Sequence, residues 1–169
     1  YRAVNPCGTV PALLLDTGVL LTEVVGIYVY LESIFPETPL LGTDGLSRAE
    51  ILSWDHRCFV EGFQAVAEAL RNGNKAFSGR ALPGPVAYEQ IPELAVRGHQ
   101  RIQAFYQVLD KHLPGRQYMV GDSFTVADIA ACVFVDFSGR VKERLPEACP
   151  APTSWCAKIK GRPSTQPNH

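Results

Sequence analysis

The apolar positions near the start of the chain fall into two short runs, VPALLLD (Val10 to Asp16) and VLLTEV (Val19 to Val24), joined by Asp16-Thr17-Gly18. A short connection with glycine at its left-handed position is a common hairpin loop, so Val10 to Val25 reads as a β-hairpin. Pro11 has no amide hydrogen for a ladder, which suits a strand's first residue, an edge or a bulge. An X-Pro bond is also where a cis peptide costs little, so Val10-Pro11 is either strand punctuation or a cis bond that opens the backbone of Val10 to a ligand. Both runs are apolar on alternate positions as well as in sequence, which predicts a sheet covered on both faces. From Val24 the period changes. Ile27, Tyr30, Leu31 and Ile34 recur at helical spacing, and the helix must stop before Pro36. Two strands do not make a stable sheet alone. The pattern therefore expects more structure ahead of Tyr1, or another chain, beside this hairpin.

Phe35 to Leu46 (FPETPLLGTDGL) carries two prolines and two glycines and reads as a linker. Beyond it the pattern is helical. Between Ser47 and Arg71, Ala49, Leu52, His56, Phe59, Phe63, Val66 and Leu70 form one stripe, and Ile51, Trp54 and Cys58 a second. A helix apolar on two faces must touch two different surfaces. Asn72 to Gln90 is rich in Gly and Pro and long for a loop, and such loops often serve function. Ile91 to Leu109 marks a second long helix, ended by Leu113-Pro114-Gly115. Val126 to Phe137, apolar nearly all round, predicts a central buried helix, and Trp155 and Ile159 a last short one. The expected organisation is residues 1–36, a linker over 37–46, and an all-helical domain over 47–169.

Composition narrows the function classes. Among 169 residues, 16 are basic and 17 acidic, which leaves no electrostatic footprint for nucleic acid. The most apolar region, Val10 to Leu31, is broken by Asp16, Gly18, Thr22 and Glu23, so no membrane helix is expected. The five cysteines (Cys7, Cys58, Cys132, Cys149, Cys156) form no CxxC pair, which fits incidental thiols in a reducing compartment. The four histidines show no metal-ligand spacing, and no metal is expected.

Two local signals carry chemistry. In GDSFTVADI (Gly121 to Ile129), Thr125 is a good N-cap and Asp128 stands three residues on. The pair can form a capping box with Asp in place of Glu, a structural element worth about 0.5–2 kcal/mol. Phe124 and Ile129 around it fit a hydrophobic staple. In Leu21-Thr22-Glu23-Val24, a strand gives way to a helix. A helix N-terminus binds anions through its free amides, and Glu23 beside it could take an ammonium group. Together with the backbone of Val10, this could hold an extended peptide as an added strand.

With NPCGTVPALLLD, LLTEVVGIYVYLE and the FP and LLG that follow, RAEILSW, GDSFTVADI and the closing stretch from Trp155 to Ser164, the chain resembles the glutathione S-transferases over almost its whole length. The resemblance implies an incomplete thioredoxin-like N-terminal domain, a hairpin and a helix, ahead of an all-helical C-terminal domain: α/β plus all-α. It implies a cytoplasmic homodimer of the bacterial type, with glutathione as co-substrate and no nucleic-acid or membrane partner. The matching proline, Pro11, is cis in that family, and the residue before it, Val10, bonds the cysteinyl backbone of glutathione. Glu23 and Val24 hold the γ-glutamyl end, and the box matching Thr125 and Asp128 supports folding. Val24 stands where the family usually has serine, which removes a hydroxyl hydrogen bond. The resemblance also implies a strand-helix-strand unit before the NP…VP motif. The Tyr, Ser or Cys that activates the thiol is therefore expected upstream of Tyr1, and Cys7 is not its substitute by motif.

The complete protein is expected to conjugate glutathione to a small hydrophobic electrophile in detoxification, in a pocket for which Phe59 and Phe63 are candidate walls. Arg57 could meet a glutathione carboxylate or a dimer partner. Two alternatives stand beside conjugation. One is a non-catalytic interaction module, as in the gamma subunit of a translation elongation factor. The other is a glutathione-dependent dehalogenase or isomerase.

Overall fold

The structure, a computed structural model, describes residues 1–142 and 149–163; Ser164 of the closing motif lies outside them. Strands β1 (Ala12–Leu14) and β2 (Leu20–Thr22) pair antiparallel, with Leu13 opposite Leu21. Gly18, at φ 83°, makes the turn, and Leu15 N–H closes it on Val19 C=O at 2.9 Å. The Val10-Pro11 peptide bond is cis. Helix α1 (Val24–Ile34) packs against β2 and ends ahead of Pro36. The hairpin is not covered on both faces as its pattern predicts. Its residues are half-buried or exposed, and Leu14 is 56% exposed, because α1 is the element packed against it among the described residues.

Helix α2 (Gly45–Arg57) starts two residues before the expected Ser47. Asp44 is its cap: the carboxylate accepts from Leu46 N–H at 2.8 Å and Ser47 N–H at 3.1 Å, and the Ser47 hydroxyl answers Asp44 N–H at 3.2 Å. Ser47 is thus the answering residue inside the first turn. The helical path continues through a single wide-turn segment, Cys58–Phe63, into α3 (Gln64–Gly73). The wide turn lays Gly62 against two rings: a Cβ there would stand 2.7 Å from Phe134 and 3.1 Å from Phe105.

Helix α4 (Pro92–His112) lies along α3, and small residues set how closely. A Cβ on Gly98 would meet the Ala69 nitrogen at 2.6 Å and the Ala65 oxygen at 2.7 Å. Glu68 then ties the pair from outside, with Arg97 at 2.8 Å and Arg101 at 3.0 Å. Helix α5 (Val126–Ser138) brings Phe134 edge-on to Phe105, with centroids 5.0 Å apart, and near Tyr106 at 5.2 Å. The buried Ser138 hydroxyl donates to Val135 C=O at 2.7 Å and so accepts from the Tyr106 hydroxyl. Helix α6 (Pro150–Lys160) seats Trp155 and Ile159 in the same core.

Helix α5 departs from the all-round burial its composition predicts. Ala127, Asp128, Ala131 and Phe134 are buried, whereas Ile129 and Val133 are 40% and 45% exposed. One stripe of the helix faces out, so its apolar side chains there are not core. Phe124, just ahead of the helix, sits edge-on to Tyr118 and under the Arg162 guanidinium, 3.9 Å from its ring centre.

Candidate functional site

Between the hairpin and the α2–α3 body lies a cleft of about 570 Å³. On one side it is lined by Val10, Pro11, Glu23 and Val24, and on the other by Phe59, Arg71, Phe77, Arg80 and Leu82. Val10 is 78% exposed, and its backbone N–H and C=O have no partner among the described residues. An extended ligand can therefore pair with that backbone as a short added strand.

Glu23 caps α1 without a side-chain hydrogen bond, so the first-turn amides of the helix are not satisfied by its own cap. Those amides and the positive end of the helix dipole favour an anion at this end of the helix. Glu23 itself has φ 66° and ψ 130°, a conformation that side chains other than glycine rarely adopt. Such backbone costs about 1–3 kcal/mol and concentrates at ligand sites. A carboxylate beside free helix-tip amides can, with them, take both ends of an α-amino acid, the carboxylate its ammonium and the amides its carboxylate. Val24 adds its backbone amide but no side-chain donor.

Of the two aromatic residues singled out in the sequence, Phe59 lines this cleft and is 53% exposed. Phe63 does not line it. It is half-buried and packs near Phe137, with centroids 5.9 Å apart. Arg57 is taken by its own helix: its guanidinium meets Glu61 at 2.7 and 3.3 Å and lies 4.6 Å from the centre of the Trp54 ring. Cys7 is exposed and lines the cleft, whereas Cys58, Cys132, Cys149 and Cys156 are buried. Burial pushes the Cys58 thiol up to about 12, which makes it inert at neutral pH. Among the described residues no cluster of His, Cys, Asp or Glu could hold a metal ion, and no helix is long and apolar enough to cross a membrane.

Arg2, Arg71, Phe77 and Arg80 also line the cleft, and no motif marks any of the four. Their signal was weak: a Gly- and Pro-rich segment carrying Phe77, Arg80 and Leu82, long for a loop. The segment is built rather than loose. Gln90 Nε2 donates to Arg71 C=O at 2.6 Å and to Asn74 C=O at 2.7 Å, and Ile91 N–H meets Asn72 Oδ1 at 3.0 Å.

The capping box lies away from the cleft. The Asp128 carboxylate is fully buried, with Met119 N–H on Oδ1 at 2.8 Å and both Thr125 N–H and the Thr125 hydroxyl on Oδ2 at 2.8 and 3.0 Å. It joins the start of α5 to the segment before it.

Three comparisons agree with this architecture. The family model "Glutathione S-transferase, C-terminal domain" matches residues 61–163. Glutathione S-transferase 2 of Saccharomyces cerevisiae is 30% identical, over 98% of this chain and 69% of its own length. A glutathione S-transferase domain-containing protein of Marinobacter aquaeolei superposes with a TM-score of 0.87 at 27% identity, over 98% of this chain and 78% of its own. A sphingomonad glutathione S-transferase solved in complex with glutathione superposes with a TM-score of 0.73 at 28% identity, over 97% of this chain and 74% of its own. The hairpin and helix of an incomplete thioredoxin-like unit, the all-helical body behind them and these matches lead to one assignment: the chain belongs to the glutathione S-transferase family.

Proposed function

We propose that the protein is a glutathione transferase that joins the glutathione thiol to a small hydrophobic electrophile, acting in the cytoplasm as a detoxifying homodimer. In this reading Val10 pairs with the cysteinyl backbone, and Pro11 sets the edge of the cleft. Glu23 takes the γ-glutamyl ammonium, and the amides at Val24 take its carboxylate. The observation that carries the reading is the cleft itself, where the unpaired backbone of Val10, Glu23 on its left-handed backbone and the exposed ring of Phe59 share one space. The glutathione-bound sphingomonad relative supports the choice of peptide.

The reaction forms one C–S bond. The thiolate sulfur attacks the electrophilic carbon, the leaving group departs with its electron pair, and the thiol proton passes to solvent. The group that stabilises the thiolate comes, in this proposal, from the unit expected ahead of Tyr1 rather than from a described cleft residue. An interaction module would keep the fold without the ligand. Retention on immobilised glutathione separates the two. The protein should bind and elute with free glutathione, Glu23→Gln should lose retention, and Val24→Ser should strengthen it by restoring a hydroxyl donor. Flow-through of the unaltered protein would sink the glutathione reading.

A further inference from the structure

The helical-body wall of the cleft has a chemistry that the glutathione residues do not use. Arg71, at the end of α3, and Arg80 both stand near the face of Phe77, their guanidinium carbons 5.0 and 5.9 Å from its ring centre. Each is held by a backbone carbonyl. Arg71 Nη1 donates to Arg80 C=O at 2.8 Å, and Arg80 Nη2 donates to Ala76 C=O at 2.7 Å. A guanidinium has five N–H donors, so each keeps several for a ligand. Neither has a carboxylate partner among the described residues. The cleft is lined by three arginines, with Arg2, against one carboxylate, Glu23. Beside the arginines stand the apolar surfaces of Phe59, Phe77 and Leu82, the first and last more than half exposed.

Two cations fixed over an aromatic ring, next to open apolar surface, fit a flat molecule with an anionic end. A planar carboxylate matches the fork of an arginine in two hydrogen bonds, and a ring can lie on Phe59 or Leu82. We propose that the acceptor electrophile of this protein is an aromatic carboxylate, its ring on the Phe59–Leu82 surface and its carboxylate on Arg71 and Arg80. This rests on the glutathione reading above, because the acceptor is defined by the space that glutathione leaves.

The test measures binding of two stable conjugates, S-benzylglutathione and S-(4-carboxybenzyl)glutathione, to the whole chain by titration calorimetry. The carboxybenzyl conjugate should bind about tenfold more tightly, the gain expected from a charge-assisted contact. In Arg80→Gln and Arg71→Gln the preference should vanish while S-benzylglutathione binds within about twofold of the unaltered protein, and Arg80→Lys should restore part of it. Because Arg71 also steadies the loop through Arg80 C=O, melting temperatures are compared, and Arg80→Gln decides if Arg71→Gln unfolds. Equal binding of the two conjugates by the unaltered protein overturns this inference and leaves the glutathione reading standing. Equal weakening of both conjugates in the Gln variants also overturns it, since the arginines would then serve the glutathione carboxylate. Binding of neither conjugate overturns the glutathione reading and the inference with it.

Discussion

Asp128 offers the sharpest stability experiment. Its carboxylate is fully buried and accepts Met119 N–H, Thr125 N–H and the Thr125 hydroxyl. Asp128→Ala removes all three acceptor contacts. The hydroxyl can turn to another acceptor, but the two amides are fixed, and both belong to buried residues, Met119 at 0% and Thr125 at 3% exposure. An orphaned buried amide costs about 1–3 kcal/mol, so two cost about 2–6. One effect works the other way. Burial pushes the Asp128 carboxyl above its ordinary range, and its donors bring it only part of the way back. The native carboxylate therefore carries a desolvation cost that the alanine variant sheds. We expect a net loss of about 3 kcal/mol, or roughly 6–12 °C of melting temperature for a domain of this size. Asp128→Asn keeps one oxygen acceptor and the shape, but its NH2 then faces the other buried amide, donor against donor, so it should lose about as much as alanine. Urea unfolding followed by far-ultraviolet circular dichroism gives both numbers, and the asparagine variant supplies the comparison if the alanine variant does not fold. A loss under about 1 kcal/mol in either variant would refute the reasoning.

Two further outcomes follow from single contacts. Gly98→Ala places a methyl 2.6 Å from the Ala69 nitrogen and 2.7 Å from the Ala65 oxygen, both backbone atoms, so α3 and α4 must separate. It should cost about 1–3 kcal/mol despite the better helix propensity of alanine, and an unchanged urea midpoint would disprove the packing argument. His112 lies against Trp54 with ring centres 3.9 Å apart and donates from Nε2 to Met119 C=O at 2.7 Å. Burial, with Arg116 and Arg57 facing it, holds its pKa below 6.5 although the Met119 bond pulls it up. A lowered folded value means that its stabilising contribution is present above the unfolded pKa of 6.5 and is lost as pH falls through the folded one. Stability should thus decline with acid from pH 6.5 downward, and His112→Gln should flatten that slope; identical slopes would remove His112 as the cause.

What the sequence made legible was local. The hairpin turn at Gly18, the stop before Pro36 and the Thr125–Asp128 box each depend on residues within a few positions of one another. The structure begins α2 earlier because Asp44 and Ser47 cap it, a box of the same type hidden inside a linker rich in Gly and Pro. Contacts distant in sequence were not legible. Phe59 and Phe63 sit on one predicted stripe, yet the wide turn across Cys58–Phe63 rotates the helix, and only Phe59 reaches the cleft. Ile129 and Val133 look like core by composition, but a helix with a partner on three sides leaves its fourth side open whatever residues stand there. Arg71 and Arg80 carry no motif, because their meaning comes from Phe77 between them and from a cleft closed by a hairpin some fifty residues upstream.

The cleft depends on how α1 is fastened, since Glu23 and Val24 sit at its tip and Phe59 and Arg71 belong to the body. Side-chain hydrogen bonds from Tyr28 and Glu32 tie α1 to the rest of the fold, and one further bond carries the tie to α5. Tyr28 donates from its hydroxyl to Asp55 Oδ2 on α2 at 2.6 Å. Glu32 Oε2 accepts Leu40 N–H at 2.7 Å and Leu41 N–H at 2.8 Å. Leu40 C=O in turn accepts Val126 N–H, the first residue of α5, at 3.0 Å. The last link runs directly into the buried box, because Thr125 and Asp128 fix the same helix start. The box therefore has a reach beyond its own helix: it sets where α5 begins, α5 holds Leu40, and the segment at Leu40 holds α1 through Glu32. Loosening Asp128 should weaken ligand binding in the cleft as well as stability, although the box touches no cleft residue. Weakening the Tyr28 link should act on binding with a smaller cost in stability, because Tyr28 and Asp55 tie α1 to the body without anchoring the core.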